Sequence, residues 1–286
     1  MAKISKKDRT RRLIAENSGL FQCPICRGPA EIDGYSLRCS TSHTFDLARK
    51  GYLNLLVSGK APVYEQELFQ ARQQISSAGF FDPLIDKLVG IIRVYHSSAN
   101  LDLRILDAGC GEGSHLYRLV NKLDRQAVCI GADIAKSAIN LAANHSADIL
   151  WCVADLAGLP LQDRSISVIL NILAPANYGE FARILHDGGI VIKVVPGPDY
   201  LKELRSSGSA ETYSNQRVIE HFQEEAVLLE QHRVSYEFEI AQKLWPHLVG
   251  MTPLTWSQDQ EKILEAVRDQ NRVTGDFTVL VGSFCP

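Results

Sequence analysis

Asp107-Ala108-Gly109-Cys110-Gly111-Glu112-Gly113 decides how this chain is read. It follows the apolar run Arg104 to Ala108 and precedes a helix that begins near Ser114. Glycines at alternate positions let a strand-to-helix turn be tight and let a ligand come against its backbone. Outward from the turn, apolar β-rich runs occupy Ala127 to Ile134, Ile149 to Ala154, Ser167 to Leu173 and Ile190 to Val195, with helix-like stretches between them. Near-continuous apolar strands alternating with helices specify an α/β fold with a parallel sheet covered on both faces. Such a sheet binds ligands at the carboxyl ends of its strands, where this turn lies. The alternation from Val234 to Ile240 and the final run Phe277 to Phe284 are expected to finish the sheet as an antiparallel edge pair.

The second strand ends in Gly131-Ala132-Asp133, and a carboxylate there accepts hydrogen bonds from ribose hydroxyls. Dinucleotide enzymes share that acid, but their Gly-x-Gly-x-x-Gly turn differs from the Asp-x-Gly-x-Gly-x-Gly found here. A turn that starts with an acid points away from a pyrophosphate and toward a ligand with an amino-acid end. The pattern resembles the S-adenosylmethionine-binding motif of Rossmann-like class I methyltransferases. That resemblance implies that the backbone around Asp107, Gly109, Gly111 and Gly113 meets the cofactor and that Asp133 holds its ribose. Asp155, closing the third strand, occupies the place that often faces adenine in this superfamily; the competing reading is a helix N-cap. A P-loop is absent, because Gly59-Lys60 runs into Ala61 with no upstream glycine.

At 286 residues, the chain is long enough for two domains by a prior of about 150 residues each. With 45% hydrophobic and 22% charged residues it reads as globular, which excludes a disordered chain and a collagen-like repeat. Asn171, Pro175 and Lys193 interrupt the longest apolar stretches, so none reaches the ~18 residues of a membrane helix. Met1 to Arg12 is polar and basic and lacks the apolar core of a secretion signal, so a cytoplasmic location with no membrane contact is expected. Seven cysteines in a reducing compartment point to metal ligation or burial. The net charge of −3 hides a split: eleven Lys or Arg against five acids in residues 1–60, and an excess of acids afterwards. A basic N-terminal module facing a polyanion would produce this asymmetry, and so would a solubilising tail.

Within that module, Cys23-Pro24-Ile25-Cys26 is followed by Cys39 and His43. Two such knuckles close a tetrahedral site of four S or N donors, the set Zn²⁺ takes in structural centres. Asp33-Gly34, flanked by Ile32, Tyr35 and Leu37, signals a hairpin that brings the knuckles together. The segment has too few apolar residues for a core of its own, so metal binding is expected to supply its folding energy. Cys110, Cys129, Cys152 and Cys285 lack ligand spacing and read as core or loop thiols. The division expected is a basic arm and zinc ribbon over residues 1–60 and a methyltransferase domain over 61–286, joined through Val57 to Ala61 and helices at Glu65 to Ala78 and Pro83 to Tyr95.

Taken end to end, the sequence resembles the 23S ribosomal RNA (guanine-N1)-methyltransferases. The resemblance rests on the knuckles, on His43 to Leu56, Ala78 to Leu84, Leu106 to Gly113, Ala174-Pro175, Gly188-Gly189, Pro196 to Leu201, Met251-Thr252-Pro253 and Trp256. Asn171-Ile172-Leu173-Ala174-Pro175 is closer to the branch that includes macrolide-resistance enzymes. The resemblance implies methyl transfer from S-adenosylmethionine to N1 of a guanine in a hairpin loop of domain II of 23S rRNA, by a homodimer that embraces the RNA. It also implies cofactor contacts from Phe81, His115, Leu116 and Tyr200, with core packing as the competing reading for Phe81 and a surface tyrosine for Tyr200.

N1 of neutral guanine carries a proton and becomes nucleophilic only as that proton leaves and charge moves toward O6. The loop Asn171 to Asn177, after the fourth strand, is where the base is expected to enter. Asn171 or Asn177 and backbone groups of Ala174-Pro175 are expected to orient the base, with Glu112 or Asp155 handling the proton. Arg27, Arg38, Arg49 and Lys50, near Tyr35, Phe45 and Tyr52, are suited to gripping phosphates and stacking on loop bases, a grip that salt weakens steeply. Two other readings stay open on sequence: an inactive cofactor-binding domain with a protein-docking ribbon, and a small-molecule methyltransferase.

Overall fold

The computed structural model describes residues 4–57, 66–97, 102–145, 148–205, 214–256 and 258–284. Most of the expected linker at Val57 to Ala61, the division between 60 and 61, and Cys285 lie outside them. The apolar runs form β5 (Arg104–Ala108), β6 (Val128–Asp133), β7 (Ile149–Val153), β8 (Ile166–Ile172) and β9 (Leu185–Pro196), which pair in parallel. The helices α4 (Ser114–Lys122), α5 (Lys136–Ala142) and α6 (Tyr178–Ile184) connect them. Two long strands, β10 (Val227–Glu239) and β11 (Arg272–Ser283), finish the sheet as the expected antiparallel pair, with β11 also antiparallel to β9. Strand order is β10-β11-β9-β8-β5-β6-β7-β4, so the sheet reverses direction of growth at β5, next to the glycine turn. Ligands of a doubly wound sheet bind at such a switch point.

The eighth strand comes from the ribbon side of the chain. β4 (Tyr52–Asn54) adds in parallel to β7, pairing Tyr52 with Trp151 and Asn54 with Val153. Upstream, β1 (Ala30–Asp33), β2 (Ser36–Cys39) and β3 (Thr44–Asp46) make an antiparallel sheet whose first turn is Gly34-Tyr35, with Gly34 at φ 60°. The basic arm is a helix, α1 (Lys6–Glu16), capped by Ser5. Its Asp8 accepts the Tyr35 hydroxyl at 2.6 Å, and Lys7 lies 4.6 Å over the Tyr35 ring.

The ribbon's apolar residues join the core beneath the sheet. Leu20, Phe21, Leu37, Leu47 and Leu53 form one cluster with Leu106, Ile130, Leu159 and Leu161. Backbone bonds reinforce the seam: Gln22 N–H donates to the Pro160 carbonyl at 3.1 Å and Gln162 N–H to Leu20 at 3.0 Å. Fully burying a Leu or Phe contributes about 1.5–3 kcal/mol, so this shared cluster is a second anchor beside the metal site.

On the opposite side, α2 (Gln66–Ser77) and α3 (Asp82–Tyr95), with Pro83 in its first turn, cover the sheet. The helix α2 lies against α8 (Trp245–Met251) and reaches across to α5, where Phe69 packs on Ala135 and Ala138. Two further helices, α7 (Gln216–Glu225) and α9 (Gln260–Ala266), precede β10 and β11.

Candidate functional site

The glycine turn is held open by the backbone it forces. Gly109, Gly111 and Gly113 sit at φ 84°, 55° and 82°, a region that L side chains rarely adopt. A Cβ on Gly109 would meet the Ala174 Cβ at 2.5 Å, so the missing side chain is what lets the loop after β8 approach the turn. A Cβ on Gly131 would strike the Trp151 ring at 2.3 Å; that indole fills the space beneath Gly113 and Gly131.

Asp107, at the end of β5, is 1% exposed, and neither carboxyl oxygen has a hydrogen-bond partner among the described residues. Burial, with the charges of Asp133 and Glu112 added, pushes its pKa up to about 8. Asp133 accepts the N–H groups of Gly111 and Ala135, each at 2.8 Å. Burial raises its pKa and those two N–H groups oppose the rise. Two acids thus lie beside a glycine-lined backbone at the end of the parallel strands, with the charge of Glu112 nearby. A ligand carrying an ammonium and a sulfonium fits this donor set, since it would give Asp107 the partner it lacks. S-adenosylmethionine is such a ligand. Glu112 is turned elsewhere: it accepts the Ser114 hydroxyl at 2.5 Å and lies 3.9 Å from His145. Asp155 accepts the Ala157 N–H at 2.9 Å as an N-cap, and its side chain is exposed at the end of β7.

The loop after β8 is built on a buried polar knot. Asn171 is completely buried, and its amide nitrogen donates to the carbonyls of Ala108 (2.7 Å) and Pro175 (2.8 Å). Lys193 in β9, only 4% exposed, donates to Asn171 Oδ1 and to the Ala174 carbonyl, each at 2.5 Å. Burial brings its pKa down to about 8. Leu173 is held at φ 52°, a strained setting for a branched residue that this knot stabilises. Asn171 was expected to orient a base; sealed behind the loop, it acts on the loop backbone instead. Asn177 caps α6, its Oδ1 accepting the Glu180 N–H at 3.0 Å, which leaves its amide nitrogen for other contacts.

Phe81 and His115 meet edge to face with centroids 4.6 Å apart, and Phe277 bridges Phe81 (6.0 Å) to Tyr200 (5.2 Å). Burial lowers the His115 pKa to about 4, so the ring is neutral. Leu116 is fully buried in the core behind it. The structure therefore brings Phe81, His115 and Tyr200 into one aromatic wall and puts Leu116 behind that wall.

Cys23, Cys26, Cys39 and His43 converge, their donor atoms all within 4.8 Å of one another. The Cys26–Cys39 sulfurs are 3.7 Å apart, and His43 Nδ1 lies 3.5 and 3.4 Å from Cys23 and Cys39. A tetrahedron with Zn–S of about 2.3 Å has S–S edges of about 3.8 Å, so the cluster fits Zn²⁺ with every position filled. The Thr41 hydroxyl, 3.1 Å from the Cys39 sulfur, pulls that thiol down to about 6, toward the thiolate a metal needs. Bound there, the ion would cross-link the knuckles and perform no chemistry.

Three residues beside these groups escaped the sequence reading: Lys193, Phe69 and Arg72. Lys193 carried a signal, a lysine inside the apolar run Ile190 to Val195. Arg72 carried another, as a cation in the middle of the apolar face of α2.

Comparisons with known proteins place both modules in families. The zinc-ribbon family described as RlmA, N-terminal, matches residues 21–63, and a methyltransferase domain family matches residues 99–268. YxjB of Bacillus subtilis (strain 168), which bears the provisional name 23S rRNA (guanine-N1)-methyltransferase, is 39% identical over 274 residues, 92% of this chain and 96% of that one. The 23S rRNA (guanine(748)-N(1))-methyltransferase of Streptomyces fradiae is 31% identical over 258 residues, 87% of this chain and 90% of that one. Among solved structures, the YcgJ protein of Bacillus subtilis aligns with a TM-score of 0.46 at 17% identity over 68% of this chain and 95% of that one. With both modules matched and the relatives aligned almost end to end, the chain belongs to the 23S rRNA (guanine-N1)-methyltransferase family.

Proposed function

We propose that this protein transfers a methyl group from S-adenosylmethionine to N1 of a guanine in a hairpin loop of domain II of 23S rRNA, in the cytoplasm. The observation that carries the reading is the match to this family along the ribbon and the sheet together. Among the described residues, no helix is long and apolar enough to cross a membrane. When bound, the cofactor supplies an electrophilic methyl on a sulfonium sulfur. Asp107 holds its amino end, Asp133 its ribose and Asp155 the adenine side, with the backbone of Gly109, Gly111 and Gly113 beneath and Phe81, His115 and Tyr200 alongside.

The target guanine enters over Leu173 to Asn177, which Gly109 allows to lie against the turn. The Asn177 amide nitrogen orients the base, while Asn171 and Lys193 hold the loop from behind. The Lys193 ammonium, bound to the Ala174 carbonyl, biases the loop toward positive potential where charge grows on O6 as the N1 proton leaves. With Glu112 committed to Ser114, the exposed carboxylate of Asp155 accepts the N1 proton, directly or through water, while the Lys193 ammonium supports the charge on O6. Reaching N1 requires an unpaired base, which a hairpin loop presents at low unstacking cost. The exposed Arg27, Arg38 and Arg49 of the ribbon, with Arg11, Arg12 and Tyr35, grip the RNA beside it, whereas Tyr52 is buried, Phe45 packs on the core and Lys50 donates to the Asn140 carbonyl.

The test is transfer of labelled methyl to unmodified 23S rRNA and to a domain II hairpin fragment, with the product nucleoside identified by mass spectrometry. 1-Methylguanosine on both is expected. A different methylated nucleoside, or cofactor binding without any RNA product, overturns the reading.

A further inference from the structure

The end of the sheet beside the glycine turn is electrically one-sided. Asp107 and Asp133 lie there, the charge of Glu112 adds to theirs, and burial keeps His115 neutral. S-adenosylmethionine brings two cationic groups that suit such a site and one anionic group, its α-carboxylate, that does not. A buried carboxylate left unpaired among acids is strongly disfavoured, so a cofactor seated here needs a cation at its amino-acid end.

The helix α2, which reaches the glycine turn through Phe69, provides one. On α2, Leu68, Phe69, Ile75 and Ser76 are all buried, and Arg72 lies three or four residues from each of them. At helical spacing those four positions surround Arg72 on one face, so the cation occupies the middle of the surface that α2 presents to the domain. Phe69, one turn earlier, marks where that surface lands: its ring packs on Ala135 and Ala138 and lies 3.9 Å from where a Cβ on Gly111 would be. Arg72 is half-buried, and its Nε donates to the Met251 carbonyl at 3.3 Å. Among the described residues no carboxylate lies within ion-pair distance of it, whereas the neighbouring Arg118 is bound to Asp82 at 2.6 Å. The charge of Arg72 is felt by Asp133 at the end of β6 and by His115 in the first turn of α4. A cation held on a carbonyl by one nitrogen keeps its two terminal nitrogens for a planar anion.

We propose that Arg72 binds the α-carboxylate of the cofactor's methionine, opposite Asp107 at the ammonium, so that α2 discriminates the complete amino-acid end from truncated nucleosides. The proposal rests on S-adenosylmethionine as the cofactor and is independent of the RNA target.

Calorimetric titration of the full chain with S-adenosylmethionine and with its decarboxylated analogue, which keeps ammonium and sulfonium, tests it. The wild type is expected to prefer the complete cofactor by about 10- to 100-fold, the worth of a charge-assisted pair. Arg72→Met, which keeps the apolar stem, should erase that preference and leave the analogue's affinity within about threefold of wild type. Arg72→Lys should restore part of the preference, and it serves as the readout if the Met variant does not fold. Equal loss of both ligands in Arg72→Met would reduce Arg72 to a brace for Met251 and overturn the proposal. So would a wild type that does not distinguish the two ligands. Failure of the wild type to bind either ligand would instead strike the cofactor reading on which the proposal rests.

Discussion

The ribbon and the sheet bury polar groups by opposite means. In the ribbon, four soft donors close on one another and are complete once a metal joins them. In the sheet, Asp107 is buried with no hydrogen-bond partner among the described residues, and the charges nearest it are acids. The first arrangement is a finished cross-link; the second is a binding site kept under electrostatic tension until a cationic ligand arrives. The contrast extends to packing, because the ribbon's own strands are three or four residues long and its leucines find their core under the sheet. One module is therefore held by a metal plus borrowed apolar contacts, and the other by its own core.

The largest effect should come from breaking the metal site. Cys26→Ala, or chelation, removes a contribution of about 10–16 kcal/mol of zinc binding and should abolish RNA binding, read as a rise of at least about 100-fold in the RNA dissociation constant. S-adenosylmethionine affinity should stay within about twofold, and an equal collapse of both would show that the two regions are not separable. Next is Asp107→Asn, expected to weaken S-adenosylmethionine by about 100-fold through loss of a charged partner, read by calorimetry. The same variant has a pH signature. Folding raises the Asp107 pKa to about 8, so its protonated form is favoured in the folded state. The stability this gives is full below the unfolded carboxylate value of about 4 and is lost as pH rises toward 8. Ligand-free wild type should therefore lose melting temperature from pH 5 to pH 8, and Asp107→Asn should flatten that slope; parallel slopes would refute the buried-charge account. The smallest effect is Lys193→Met, expected to slow single-turnover methylation about tenfold with cofactor affinity unchanged, since one electrostatic support is removed from the loop. A change in cofactor affinity alone would move Lys193 out of the target side.

The sequence made the sheet legible because burial on both faces leaves unbroken apolar runs, and because the glycines of the turn are needed for positive φ whatever surrounds them. Cysteine spacing made the metal site legible for a similar reason: the ligands are local pairs. β4 was not legible, since Tyr52–Asn54 is too short to carry a period and is a strand only because β7 lies beside it. Nor were the duties of Asn171 and Asn177 separable, although Asn177 followed three residues later by Glu180 is a capping pattern. Which asparagine is sealed and which is open depends on where Lys193 lands, a contact across two strands that no local pattern records.

The pairing of β4 with β7 also orders events in time. During synthesis Asn54 is made well before Ile149, the first residue of the strand against which β4 docks. At 5–20 residues per second that interval is about 5–20 s. The four metal donors are all in hand by His43, so the knuckles can close on their ion at once, but Tyr52–Asn54, bridged locally to Leu47 and Ala48, must wait for its sheet partner until β7 has formed beside β6. The nascent chain thus acquires its metal early and its final edge strand late, and the closing of that long loop makes the ribbon's docking a report on whether the cofactor domain has folded.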